Sequence, residues 1–207
     1  MPRAIDYYFS SVSPWTFLGH NPFMDLAKRH GAEVVFRPVL LGPIFAQTGG
    51  LPLAKRAPER QRYRLVELQR WGLKRGVEIN IHPKFWPFDG ALADRTLIAA
   101  LEAGLPVAEL AGRIFSGVWQ REENLADPAV IAAMADALGL PGAELVAGAQ
   151  GEAAEAIYAA NRDKALAADV FGAPSYVLDG EVFWGQDRLD LLEDALASGR
   201  APFRAIP

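Results

Sequence analysis

Residues 5–19 read IDYYFSSVSPWTFLG. An apolar, aromatic-rich run of strand length covers residues 3–10 and is ended by the Ser-Ser-Val-Ser-Pro cluster. Ser13 stands where a helix N-cap stands, and Pro14 suits the first helical turn, where its missing N–H has no partner to lose. A strand that turns directly into a helix is therefore expected, with WTFLGHNPFMDLAKRHG helical, irregular at Asn21-Pro22 and stopped at Gly31. EVVFRPVLL then returns to strand. Strand, helix and strand in this order make a crossover unit whose two strands run parallel.

Working outward, GPIFAQTGGLPLAKRAP reads as a Gly/Pro-rich loop, and PERQRYRLVELQRWGLKRG as a strongly basic helix. A proline-rich connector, IHPKFWPFDG, follows. Residues 89–168 read as almost wholly helical, broken at Gly104-Leu105-Pro106, Asp127-Pro128 and Leu140-Pro141-Gly142, with no repeat period. Strand signals return only in APSYVLDGEVFWG, where Asp179-Gly180 is a hairpin turn signal, and QDRLDLLEDALASG closes the chain as a helix. The expected fold is α/β: a discontinuous thioredoxin-like domain, residues 1–45 and 169–207, that carries a large all-helical insertion at residues 46–168.

The 207 residues are 51% hydrophobic and 22% charged, the composition of an ordinary globular protein long enough for a sizeable core. A net charge of −4 gives no global attraction to nucleic acid or to an anionic membrane. No segment reaches the uninterrupted apolar length of a membrane span, and the first residues lack the pattern of a signal peptide, so a cytoplasmic protein without a membrane partner is expected. The three histidines, His20, His30 and His82, show no ligand spacing, and no metal site is expected. Phosphate-binding loops, dinucleotide fingerprints and nucleophile elbows are absent from the sequence.

Cysteine is absent as well, which removes disulfides and any mechanism that uses the protein's own thiol. Yet Ser13 and Thr16 bracket a Ser-Pro-Trp-Thr turn in the position where a thioredoxin-like protein carries C-x-x-C. The segments SPWTFLG, RPVLLGPIF, RYRLVELQRWG and VFGAPSYVLDGEVFWGQDRLDLLEDAL together resemble the 2-hydroxychromene-2-carboxylate isomerase family. That family is a glutathione-dependent branch of the DsbA-like, kappa-class glutathione transferase group, and the likeness runs in order along essentially the whole chain.

The resemblance implies a DsbA-like fold, a homodimer, and glutathione as a recycled cofactor whose thiol lies beside Ser13, the catalytic serine. Pro174 of FGAPSY matches the cis-proline of thioredoxin folds, and the backbone of Ala173 is expected to pair with the cysteinyl part of glutathione. Gln186 and Asp187 of WGQDR fall where the family holds the γ-glutamyl end, and Asn161 matches an asparagine placed near the substrate, a small aromatic acid. The implied reaction interconverts 2-hydroxychromene-2-carboxylate and trans-o-hydroxybenzylidenepyruvate in aromatic-hydrocarbon breakdown. Ala46, Gly50 and Asp89 depart from the family, which often has lysine, asparagine and asparagine there.

Each of these residues also has a quieter reading. Ser13 and Asp187 could serve only as helix caps, Pro174 only as a shaped turn, and Asn161 as an exposed amide. The basic run from Lys55 to Arg75 reads as a solvated amphipathic face or as one lip of an anion-binding site. A kappa-like glutathione transferase and a non-catalytic thioredoxin-fold binding module are the alternatives to the isomerase.

Overall fold

The computed structural model describes residues 3–205. Strands β1 (Ala4–Phe9) and β2 (Glu33–Pro38) pair in parallel, with Ile5 opposite Val34 and Phe9 opposite Pro38. Between them runs helix α1 (Pro14–Arg29), so the opening crossover unit forms as its signals require. β3 (Ser175–Leu178) lies antiparallel on the other edge of β1, and β4 (Glu181–Trp184) pairs antiparallel with β3, giving the order β2-β1-β3-β4. Asp179 (φ 52°) and Gly180 (φ 80°) are both left-handed, as a two-residue turn between twisted strands demands.

The strand period sorts β1 between two cores. Ile5, Tyr7 and Phe9 face one hydrophobic cluster, while Tyr8 faces a smaller one with Val39, Ile44 and Val177. Tyr7 stacks on Tyr176 at 5.4 Å between ring centroids, and Phe9 meets Phe115 edge-on at 5.6 Å. Phe115 belongs to the helical middle, so the sheet and that middle share one core rather than touching across a polar seam.

The middle consists of α2 (Leu41–Thr48), α3 (Pro58–Arg75), α4 (Ala91–Glu102), α5 (Val107–Trp119), α6 (Pro128–Asp136), α7 (Gly142–Ala149) and α8 (Glu152–Ala167). A short 3-10 turn at Gln186–Arg188 precedes the last helix, α9 (Leu189–Ser198). This is the thioredoxin-like, DsbA-like architecture with many added helices that the sequence led us to expect.

Four local expectations need correction. GPIFAQTGG is not a loop: it supplies most of α2, because Pro43 sits in the first turn, where no N–H is needed, and Gly49 (φ 78°) ends the helix instead of breaking it. α1 runs unbroken through Asn21-Pro22, held by Leu18, Phe23 and Leu26, whose burial outweighs one missing backbone bond. The helical middle also breaks at Gln150-Gly151, which separates α7 from α8. Finally, Asp187 does not cap α9; Arg188 holds the cap position and makes no side-chain cap bond. Among the described residues no helix is long and apolar enough to cross a membrane.

Candidate functional site

Ser13 begins α1 and is 6% exposed. Its Oγ accepts the Thr16 N–H at 3.3 Å, which makes it a true N-cap, and its hydroxyl donates to the Ala173 carbonyl at 3.1 Å. The first turn of α1 holds no acidic residue, so the positive end of the helix dipole is not neutralised from within. Pro14 has no N–H to offer, and the Trp15 N–H has no partner among the described residues. A helix start with one free N–H donor among the described residues, that of Trp15, and no acid favours an anion.

The helical middle grips the turn that leads to Ser13. The Asp94 carboxylate of α4, fully buried, accepts the Ser11 N–H at 2.8 Å, the Ser10 hydroxyl at 2.9 Å and the Tyr158 hydroxyl of α8 at 2.9 Å. Burial raises this carboxyl from 3.8 to about 6, against the downward pull of those donors. The indole N–H groups of Trp119 and Trp86 reach the carbonyls of Ser11 and Val12, each at 3.4 Å. Gly90 lies so close that a Cβ there would come within 2.7 Å of Val12 Cγ1.

Opposite Ser13, the Ala173–Pro174 peptide is cis, and the Ala173 N–H has no partner among the described residues. The Pro174 carbonyl accepts the Gly185 N–H at 2.9 Å, which ties this segment to the turn before α9. Gly185 has φ 101°, a conformation that favours glycine. On the same side α1 approaches through Gly19, where a Cβ would stand 2.7 Å from Gln186 Cβ and 2.9 Å from the Tyr176 hydroxyl.

Gln186 is buried, and Arg75 at the end of α3 holds it: the guanidinium donates to its Oε1 at 3.0 and 3.1 Å and to its backbone carbonyl at 2.8 Å. Asp187 is exposed and pairs with Arg188 at 2.6 Å. Asn161 is buried on α8 and donates to the Pro38 carbonyl at 3.2 Å, at the end of β2 beside the end of β1. It also lines a cavity of about 400 Å³ with Arg37, Ile98 and Lys164, and Ser13 is not among the residues around that cavity.

The geometry thus brings Ser13, Ala173 and Pro174 into direct or adjacent contact, with Gln186 and Asp187 one hydrogen-bonded step away. Asn161 stands one strand over. Asp94 and Arg75 lie outside the set of site residues that the sequence predicts, yet both belong to this arrangement. Arg75 ends a basic helix and reads as solvent-facing; Asp94 had a signal, since it falls three residues before Leu97 and four before Ile98, on the apolar face of α4.

Comparison with known proteins agrees with this architecture. Residues 4–197 match the family model of the DSBA-like thioredoxin domain. A 2-hydroxychromene-2-carboxylate isomerase from Sphingobium xenophagum is 28% identical over 95% of this chain and 99% of its own. Glutathione S-transferase kappa 1 of Caenorhabditis elegans is 25% identical over 95% of this chain and 91% of its own. The solved structure of a 2-hydroxychromene-2-carboxylate isomerase superimposes with a TM-score of 0.79 at 23% identity, covering 94% of this chain and 95% of the other. With the fold, the cis Ala173–Pro174 segment opposite the start of α1 and the family model all in agreement, the chain belongs to the DSBA-like thioredoxin domain family.

Proposed function

We propose that this chain is a glutathione-dependent isomerase that interconverts 2-hydroxychromene-2-carboxylate and trans-o-hydroxybenzylidenepyruvate, or a related unsaturated aromatic keto acid. The observation that carries the reading is a buried N-cap serine on a helix with no acid in its first turn, in a chain with no cysteine. Such a helix start suits an anion, and a negatively charged sulfur there would have to come from a ligand, since the protein possesses none of its own. The names of the isomerase and kappa transferase relatives support the same reading.

The residues present fit reduced glutathione. Ser13 and the Trp15 N–H would hold the sulfur, the Ala173 N–H the cysteinyl backbone, and Gln186 with the exposed Asp187 carboxylate the γ-glutamyl end, whose ammonium needs an acceptor. When bound, glutathione supplies a thiolate whose reversible conjugate addition frees a double bond to rotate. The start of α1 lowers the cost of negative charge beside Ser13. The Ser13 hydroxyl, whose proton now rests on the Ala173 carbonyl, can turn that proton toward an anion while its oxygen stays bonded to Thr16. Asn161 is the proposed substrate contact. A cytoplasmic homodimer acting on a small aromatic acid completes the reading.

The test is a calorimetric titration with reduced glutathione beside Ser13→Ala, followed by assay with a benzylidenepyruvate. One-site binding, isomerisation with total free thiol unchanged, and a fall in kcat of about 100-fold in the variant are expected. No binding at several millimolar would overturn the proposal. Thiol consumed in step with product would favour the second reading, a kappa-like transferase, which the relative of that name keeps in view. Turnover unaffected by Ser13→Ala would remove the catalytic role of the serine.

A further inference from the structure

The arginines of and around α3 are not equivalent. Arg62 pairs with Glu59 and Arg70 with Glu67 on the outer face, while Arg75 is spent on Gln186. Arg56 and Arg64 are partly buried, and neither meets a carboxylate among the described residues. Arg56 gives its Nε–H to the Leu51 carbonyl at 2.7 Å, and no acceptor is found for its terminal nitrogens among the described residues. The Arg64 guanidinium lies over the Trp86 ring, 5.5 Å from its centroid, without a hydrogen-bond partner among the described residues.

Burial, and then repulsion from Arg56, push Arg64 down to about 10; burial and then Arg60 lower Arg56 in turn. Two like charges partly stripped of water, with no acid between them among the described residues, destabilise the fold that holds them. The arrangement becomes favourable when an anion completes it. Trp86 fixes where that anion lies, because its indole N–H bonds to the Val12 carbonyl, next to Ser13, while its ring packs on Trp119 at 6.1 Å. Arg64 is therefore one aromatic ring away from the turn that opens α1.

We propose that Arg56 and Arg64 form a carboxylate-binding pole beside the Ser13 turn, and that it receives the carboxylate of a planar unsaturated or aromatic acid. Only the identity of this acid as a substrate rests on the isomerase reading; the binding itself does not. A guanidinium presents parallel N–H donors that match a carboxylate, and the neighbouring aromatic surface suits a planar acid. Exposed Arg60 adds attraction on approach. The pole stands to one side of the helix start, so the acid and an anionic sulfur at Ser13 need not compete for the same donors.

The experiment is calorimetric titration of the full chain with trans-cinnamate and with neutral cinnamamide. It is run on the unaltered protein, Arg64→Gln, Arg64→Lys and Arg56→Gln, with reduced glutathione titrated separately into each. Expected are one-site binding of cinnamate and none of the amide. Arg64→Gln should weaken cinnamate by at least about tenfold and Arg56→Gln by several-fold. Arg64→Lys, which keeps the charge without the fork, should fall between. Glutathione affinity should stay unchanged, and the Tm of Arg64→Gln should equal or exceed that of the unaltered protein, since a partly buried charge that meets no acid among the described residues has gone. Failure of the unaltered protein to bind cinnamate would overturn the pole, as would unchanged cinnamate affinity in Arg64→Gln. So would a parallel loss of glutathione affinity, which would assign the pole to the carboxylates of the tripeptide instead. Cinnamate binding that obeys these expectations in a protein that ignores glutathione would support the pole and remove only the cofactor reading.

Discussion

At the turn that opens α1, the helical middle supplies a negative charge wholly out of water; at the turn that precedes α9, it supplies a positive charge at the edge of solvent. Asp94 answers three buried donors from the first turn and its surroundings, and Arg75 answers two oxygens of Gln186 in the second. Both polar anchors come from helices outside the sheet; Asp94 reaches back across 84 residues of chain and Arg75 forward across 111. The two differ in what fails when they are removed. Buried donors left without Asp94 cannot turn to water, whereas removal of the half-buried Arg75 side chain opens the buried Gln186 oxygens toward solvent.

Removing the buried anchor should therefore have the largest effect. Asp94→Ala leaves the Ser10, Ser11 and Tyr158 donors unpaired and is expected to cost about 3 kcal/mol in urea unfolding, with loss of the geometry around Ser13. A cost below about 1 kcal/mol would mean that the turn holds itself.

The same residue sharpens the comparison through pH. Because its folded value lies near 6, above the ordinary 3.8, Asp94 takes up a proton on folding between those values. Its contribution to stability is full below about pH 4 and is lost as pH rises through about 6. Measured Tm against pH should show this component in the unaltered protein and not in Asp94→Asn. Identical profiles would assign the titration elsewhere.

Next in size is the approach of α1 to the second turn. Gly19→Val places carbon against Gln186 and the Tyr176 hydroxyl and should cost about 2 kcal/mol through overpacking, read by thermal melting. Arg75→Gln should follow at about 1 kcal/mol, since its bonds are partly screened. Its sharper readout is a several-fold weaker affinity for reduced glutathione with kcat at saturation retained. Equal loss in kcat would place Arg75 nearer the chemistry than its bonds to Gln186 imply. The smallest effect belongs to Asp89, whose exposed carboxylate accepts the Ala91 N–H at 3.0 Å at the start of α4. Asp89→Ala should cost about 0.5 kcal/mol, a capping loss only.

The fold is not equally legible in all parts of the sequence. The segment IDYYFSSVSPWTFLG contains its own strand period, cap and proline, and β1, the Ser13 turn and α1 follow from it. Asp179-Gly180 likewise declares its hairpin, because few dipeptides accept two left-handed conformations in succession. The misreading of α2 shows the limit of such signals: Gly and Pro mark helix ends as readily as they mark loops, and burial of Ile44 decides between them. Asn161 reads as an exposed amide in a polar turn yet is 3% exposed, because the end of β2 lies against its helix.

What the sequence by itself determined is the order of elements, the hydroxyl at the start of α1 and the absence of any thiol of the protein's own. These depend on neighbours within a few residues, whose dihedral preferences, caps and periodicities act locally. Tertiary structure alone decided that Asp94 is a buried anchor and not a surface charge, that Arg75 serves Gln186, and that Arg64 lies over Trp86 without an acid among the described residues. A charged side chain takes its meaning from the water it keeps and the partner it meets, and both are set by segments that only folding brings together.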